Sequence, residues 1–225
     1  MNRQTVRPAA PVPVWKGWER TLLWEGEPAL VCTVQPLALP ACPPRTARYY
    51  RRLEKAWSAR WEKRLYPMAC AALRAARAAS RPFRPWEASL SAAVTLHSEE
   101  RLSLTVDAAE RLDGPRAVTL RLGDAWSLPG GRPLALSELF PPGAPWRRQA
   151  LAAAEKQLQA RQEAGEARFF PGWERLLRRR FHPERCFLTE EGPVLFYPLF
   201  ALGPYVEGLP QVSLGLSGGD GAAGG

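Results

Sequence analysis

An α+β fold is what this sequence predicts: an antiparallel β-sheet packed against a long N-terminal helix and two later helices. Three observations predict it. Apolar residues recur at helical spacing between Thr46 and Ser80. The period then drops to two through three consecutive runs between Ser89 and Leu122, and helical spacing returns in two shorter stretches beyond Pro145. With 225 residues, 46% of them apolar and 24% charged, the chain can bury a substantial core and is not a disordered polymer.

Residues 1–14 are Pro-rich and polar, which predicts a flexible arm; residues 15–216 read as a single domain, and the Gly-rich 217–225 as a disordered tail. Within the domain, Arg20–Trp24 and Ala29–Val34 are short extended runs around the turn Glu25-Gly26-Glu27-Pro28. The long helix follows, with Thr46 as its expected N-cap. Tyr49, Tyr50, Leu53, Ala56, Trp57, Trp61 and Leu65 mark its apolar stripe. Arg51, Arg52, Glu54, Lys55, Arg60, Glu62 and Lys63 mark the opposite face. Pro67 is expected to kink or divide it, the Ala-rich Met68–Ala79 to continue it, and Pro82 and Pro85 to end it.

The three alternating runs that follow put Leu90, Val94, Leu96, Leu102, Leu104, Val106, Val118, Leu120 and Leu122 on one side. Ser103, Thr105 and Thr119 fall on the other. This is the pattern of a meander with one face on a core. After Gly130-Gly131 comes Leu134–Phe140, and Pro145 at a first-turn position opens a helix reaching about Glu163. Trp173, Leu176, Leu177 and Phe181 define a shorter helix that Pro183 stops. Two more extended runs, Arg185–Glu190 and Val194–Tyr197, flank the turn at Glu191-Gly192.

Composition constrains function only loosely. The formal net charge is +9, and 27 of the 31 basic side chains are arginine. Alongside so much Ala and Pro, that bias fits a GC-rich coding sequence as well as an anionic partner. No apolar export segment follows the N-terminal basic residues, because Pro8, Pro11 and Pro13 interrupt the stretch. The longest uncharged stretches, Pro28–Pro44 and Gly192–Val206, carry internal prolines and fall short of the roughly 20 apolar residues of a membrane span. A cytoplasmic location is the expectation.

No catalytic constellation is visible, and neither a cofactor nor a metal is expected. Cys32, Cys42, Cys70 and Cys186 form no CxxC pair and read as free thiols. His97 and His182 have no orienting third residue, and His182 and Cys186 are separated by Pro183. Gly130-Gly131 is not a phosphate-binding loop, and Glu99-Glu100 and Glu190-Glu191 read as solvated turns. Nucleic-acid binding through Arg147-Arg148, Arg178-Arg179-Arg180 and the basic helix face is the alternative function. Against it, Trp57, Trp61, Trp146 and Trp173 fall at core spacing on helices.

The stretch from Leu134 to Pro210 is informative in another way. Leu136-Ser137-Glu138-Leu139-Phe140, a helix, then Cys186-Phe187-Leu188-Thr189-Glu190-Glu191-Gly192 and Phe200-Ala201-Leu202-Gly203-Pro204-Tyr205-Val206-Glu207-Gly208 follow one another. This order resembles the RsiV-type domain of unknown function, the extracellular part of a lysozyme-sensing anti-sigma factor that recurs in the non-catalytic part of the polysaccharide deacetylase PdaC. In that family Phe200 stands where a tyrosine is usual. The family's G-G-A-H-G element is replaced here by Glu110–Pro115. The resemblance implies a non-enzymatic, soluble binding or sensing module whose partner is a protein, a cell-wall hydrolase among the possibilities. It marks Leu136, Leu139, Phe140, Phe187, Leu188, Thr189, Gly192, Pro204, Tyr205 and Gly208 as signature positions.

Read as residues alone, the motif is a hairpin turn in which Gly192 takes φ > 0, then a central apolar strand, then a rigid loop at Pro204-Tyr205 and Gly208. Trp15, Trp18 and Trp24 are the residues expected to meet a partner, if they do not instead pack on the long helix near Trp57 and Trp61.

Overall fold

The computed structural model describes residues 11–215; most of the predicted arm and all of the predicted tail lie outside the described residues. The chain forms two compact units. One comprises the described residues up to Ala92 with Ala108–Ala117 and Leu128–Gly131; the other comprises Ala93–Asp107, Val118–Ser127 and the described residues from Arg132 on.

The first unit opens with β1 (Val12–Trp15), which pairs antiparallel with β4 (Leu37–Leu39), so residues 12–14 are strand rather than loose arm. Between them, β2 (Trp18–Trp24) and β3 (Glu27–Val34) form a hairpin. Glu25 and Gly26 both have positive φ, 49° and 83°, the two-residue turn that matches the twist of paired strands. Helix α1 (Pro44–Arg60) starts two residues before Thr46. Pro44 takes the first helical position, where a missing N–H costs nothing, and Thr46 is buried inside the first turn with its N–H on the Pro43 carbonyl.

Pro67 does not break the helix. The five residues Trp61–Leu65 widen into a π-turn, in which the Tyr66 N–H reaches the Trp61 carbonyl five residues back. Helix α2 (Tyr66–Ala78) then continues, with the proline in its first turn. β5 (Trp86–His97) follows and pairs with β3 in parallel, Leu30 opposite Trp86 and Val34 opposite Leu90. The expected wholly antiparallel sheet is therefore mixed. The long helix is the reason: it is a crossover that returns the chain to begin again in the same direction. The core of this unit is Trp15, Leu30, Leu39, Tyr50, Trp61 and Leu90.

β5 and the next strand, β6 (Arg101–Arg111), contribute to both units; the six-stranded sheet runs β2-β3-β5-β6-β7-β8, with β7 at Val118–Ser127 and β8 at Arg132–Pro133. The second unit adds α3 (Trp146–Glu163), α4 (Trp173–Arg180) and three strands: β9 (Cys186–Thr189), β10 (Gly192–Phe196) and β11 (Gln211–Ser213). These form an antiparallel sheet in the order β11-β10-β9.

Two expectations of the meander fail here: Val94, Val118 and Leu120, expected on the core-facing side, are exposed, and the polar side of β6 is not solvated. Leu102, Ser103, Leu104, Thr105 and Val106 are all buried, so this part of β6 has no solvent face. β9 is what covers it. The Leu188 N–H donates to Ser103 Oγ at 2.7 Å, and that hydroxyl donates to the Asp124 carbonyl at 2.8 Å. Ala154, Leu158, Trp173, Leu177, Tyr197, Leu202 and Val212 make one apolar cluster. Leu136, Phe140, Ala150, Phe181, Cys186, Leu195 and Leu214 make a second. Among the described residues, no helix is long and apolar enough to cross a membrane.

Glu138 closes the short turn Leu136–Leu139. Its carboxylate takes two guanidinium contacts from Arg132, at 3.0 and 2.5 Å, and accepts the Ala135 N–H at 2.9 Å. The Arg132 hydrogen bond first, then that N–H, hold its pKa at about 2, below the ordinary 4.5. A depressed folded-state value means a contribution complete above pH 4.5 and lost as pH falls through about 2. A carbon-detected NMR titration is expected to show the Glu138 carboxyl turning over near pH 2, and Arg132→Ala to move that midpoint up toward 4.5. An unshifted midpoint in the native protein would contradict this geometry.

Candidate functional site

The segment joining β10 to β11 is the most unusual surface of the second unit. It leaves and returns at one point, because the Tyr197 N–H donates to the Pro210 carbonyl at 2.9 Å. Inside that closure the backbone is pinned repeatedly. Ala201 and Leu202 are buried in the core, and the Leu202 carbonyl accepts the Phe170 N–H at 2.8 Å. A Cβ on Gly203 would lie 2.6 Å from the Arg168 carbonyl oxygen, so only glycine fits. Glu207 accepts the Arg168 N–H at 2.9 Å, and Gly208 sits at φ 63°, ψ −133°, outside the reach of ordinary L-residues.

A loop held at so many points presents three side chains outward. Phe200 has φ 60°, a genuine outlier for a bulky residue, and is 53% exposed. Its ring centroid lies 5.9 Å from that of Tyr205, tilted by 43°. Val206, on the short turn Tyr205–Glu207, is 80% exposed. Just inside, the Tyr197 hydroxyl is buried and makes no hydrogen bond to the described residues, and burial raises its pKa. The exposed side chains of this loop, Phe200 and Val206, are apolar.

The signature residues divide between packing and surface. Leu136 and Phe140 are core, with Leu139 packed against the same cluster. Phe187 and Leu188 are buried in β9, and the Phe187 ring lies 6.4 Å from that of Phe196. Thr189 donates its hydroxyl to the Gly192 carbonyl across the hairpin turn, and Gly192 has φ 118°. Pro204, Tyr205 and Gly208 are brought together on the outward loop. Phe200 and Val206 complete that surface. Sequence reasoning aligned Phe200 with a family tyrosine but did not single out either residue; two apolar side chains bracketing Pro204-Tyr205 were the available signal.

The three tryptophans lie in the first unit and do not form one patch. Trp15 is 1% exposed and donates its indole N–H to the Tyr50 carbonyl at 2.9 Å. Trp18 is half-buried, edge-on to Trp61 at 6.3 Å and bonded to Glu54 at 2.9 Å. Trp24 is half-buried under the Arg77 guanidinium, 5.0 Å from its ring centroid, and that arginine also grips Glu25 and Glu27. The four cysteines are free; burial pushes Cys32 up to about 11 and Cys186 up to about 12, which keeps both as thiols. Among the described residues, no three His, Cys, Asp or Glu side chains gather around a common point.

The order and pairing of these elements have counterparts of known structure. A DUF3298 family protein from Pseudomonas aeruginosa superposes with a TM-score of 0.60 over 93% of this chain and 91% of its own, at 16% identity. The fold is that of solved DUF3298 proteins. A second DUF3298 protein, from Bacteroides fragilis, gives a TM-score of 0.59 over 91% of this chain and 88% of its own, at 15% identity. No family model and no curated protein matches the sequence. The DUF3298 likeness therefore concerns the fold, and that name denotes a domain of unknown function.

Proposed function

We propose that the protein is a non-enzymatic binding module of the RsiV type, and that it engages a protein partner through the loop carrying Phe200, Tyr205 and Val206. One observation carries the reading. A phenylalanine is held in the left-handed backbone region, at a cost of roughly 1–2 kcal/mol, while half its surface faces solvent. Burial does not explain that strain, since the ring is exposed. The pinned neighbours Ala201, Leu202 and Gly203 impose it, and the exposed ring that results is available for contact with another molecule. The match of Pro204-Tyr205 and Gly208 to the family's signature supports the same assignment, and the resemblance makes a cell-wall hydrolase one protein partner to test.

Titration of the full chain with lysozyme, followed by calorimetry, tests the reading. A saturable complex is expected, with Val206→Asp weakening it about a hundredfold by placing a charge in a desolvated contact. Phe200→Gly makes a sharper prediction. It relieves the left-handed conformation, so the variant is expected to be more stable by about 1 kcal/mol in urea unfolding while binding more weakly. Absence of a complex with lysozyme, or loop variants that bind as tightly as the native chain, overturns the proposal.

A further inference from the structure

We infer that the second unit carries a separate site for an organic anion, a carboxylate or sulfonate borne on an apolar chain or ring, in a cleft between the first half of α3 and the end of α4. It shares no residue with the loop above and does not depend on that reading. The cleft has a volume of about 630 Å³, within the range of small-molecule sites. Its apolar lining comprises Ala144, Pro145, Trp146, Leu151 and Ala152.

The charges at the cleft decide what fills it. Three guanidiniums, Arg147, Arg148 and Arg178, line it against a single carboxylate, Glu155. That carboxylate is already engaged, with Arg178 Nη2 at 3.0 and 2.8 Å from its two oxygens. Arg147 lies over the Phe181 ring, 5.6 Å from its centroid. Arg148 makes no ion pair with the described residues, and the first turn of α3 has no acidic side chain to compete for it. An anion with an apolar body meets both needs: its charged end takes the Arg148 fork, and its body covers Trp146, Leu151 and Ala152. A neutral or cationic ligand of the same shape leaves the arginine excess uncompensated.

Fluorescence titration of the full chain with 1-anilinonaphthalene-8-sulfonate, competed by decanoate, tests this. One saturable site is expected, with decanoate displacing the probe. Ala152→Trp, which fills the cleft from an exposed helix position, and Arg148→Glu, which reverses the anchoring charge, are each expected to raise Kd by at least about tenfold. The uncharged analogue N-phenyl-1-naphthylamine is expected to bind about tenfold more weakly than the sulfonate. Circular dichroism establishes that the variants are folded; Arg148 is a surface residue, so its variant decides the matter if Ala152→Trp does not fold. Non-saturable binding, indifference to Arg148→Glu, or equal affinity for the uncharged analogue overturns the inference.

Discussion

Gly123→Ala is expected to destabilise the protein by about 3 kcal/mol or more, the upper range for overpacking, because the added methyl meets strand backbone that cannot swing aside as a side chain could. A Cβ at this position would stand 2.3 Å from the Cys186 carbonyl oxygen, 2.8 Å from its carbon and 2.9 Å from the Phe196 ring. Two of those three atoms are backbone of β9, which crosses β7 here. Relief would require moving the whole strand and with it the Leu188–Ser103 hydrogen bond. Urea unfolding followed by far-ultraviolet circular dichroism measures the loss. Gly114→Ala is the comparison: its φ of 102° strains any L-residue, but nothing lies within 4 Å, so only about 1 kcal/mol is expected. Equal midpoints for native protein and Gly123→Ala would mean that β9 does not approach β7 as described.

Ser103→Ala is expected to cost about 2–3 kcal/mol despite removing one atom. The hydroxyl is fully buried and connects three strands. It accepts from Leu188 N–H in β9 at 2.7 Å and from Thr95 Oγ1 in β5 at 3.1 Å, and donates to the Asp124 carbonyl in β7 at 2.8 Å. Alanine leaves the Leu188 N–H buried without that acceptor, and an unpaired buried donor costs the full desolvation penalty. Two readouts test it together. Stability should fall by the stated amount, and the Leu188 amide should exchange with solvent faster in the variant. A change under about 0.5 kcal/mol, the range of an ordinary surface substitution, would remove Ser103 from this role.

These two residues also separate what local sequence encodes from what it does not. The helical stripe from Tyr49 to Leu65 sits on α1 and its π-turn, because a period of 3.6 has one regular solution. The Glu25-Gly26 turn is legible for a similar reason: positive φ at two successive residues closes a hairpin locally. Leu136 and Phe140 fall within the signature stretch, but the residues they pack with, Phe181 and Leu214 among them, lie far along the chain.

Ser103 and Thr105 illustrate the opposite case. Alternation placed them on a polar face, and a period of two cannot tell a solvated face from one that another strand covers. Trp15 was open to a partner or to the core, and the Tyr50 carbonyl 35 residues away settled it for the core. Phe200 reads in sequence as an ordinary apolar residue; only the pinning of Ala201, Leu202 and Gly203 puts it at positive φ on the surface.

The sequence by itself determined the α+β class, the principal helices and the hairpin turns, since each of these follows from interactions within a few residues, whereas the short strands β1, β4 and β11 carry too little local signal to be read. Tertiary structure alone decided the parallel pairing of β3 with β5, the burial of both faces of β6 and the outward strain of the Phe200 loop. Each depends on segments that are distant in the chain, Leu188 and Ser103 being 85 residues apart. Periodicity records which side of an element is apolar; it carries no information about which distant segment comes to cover the other side.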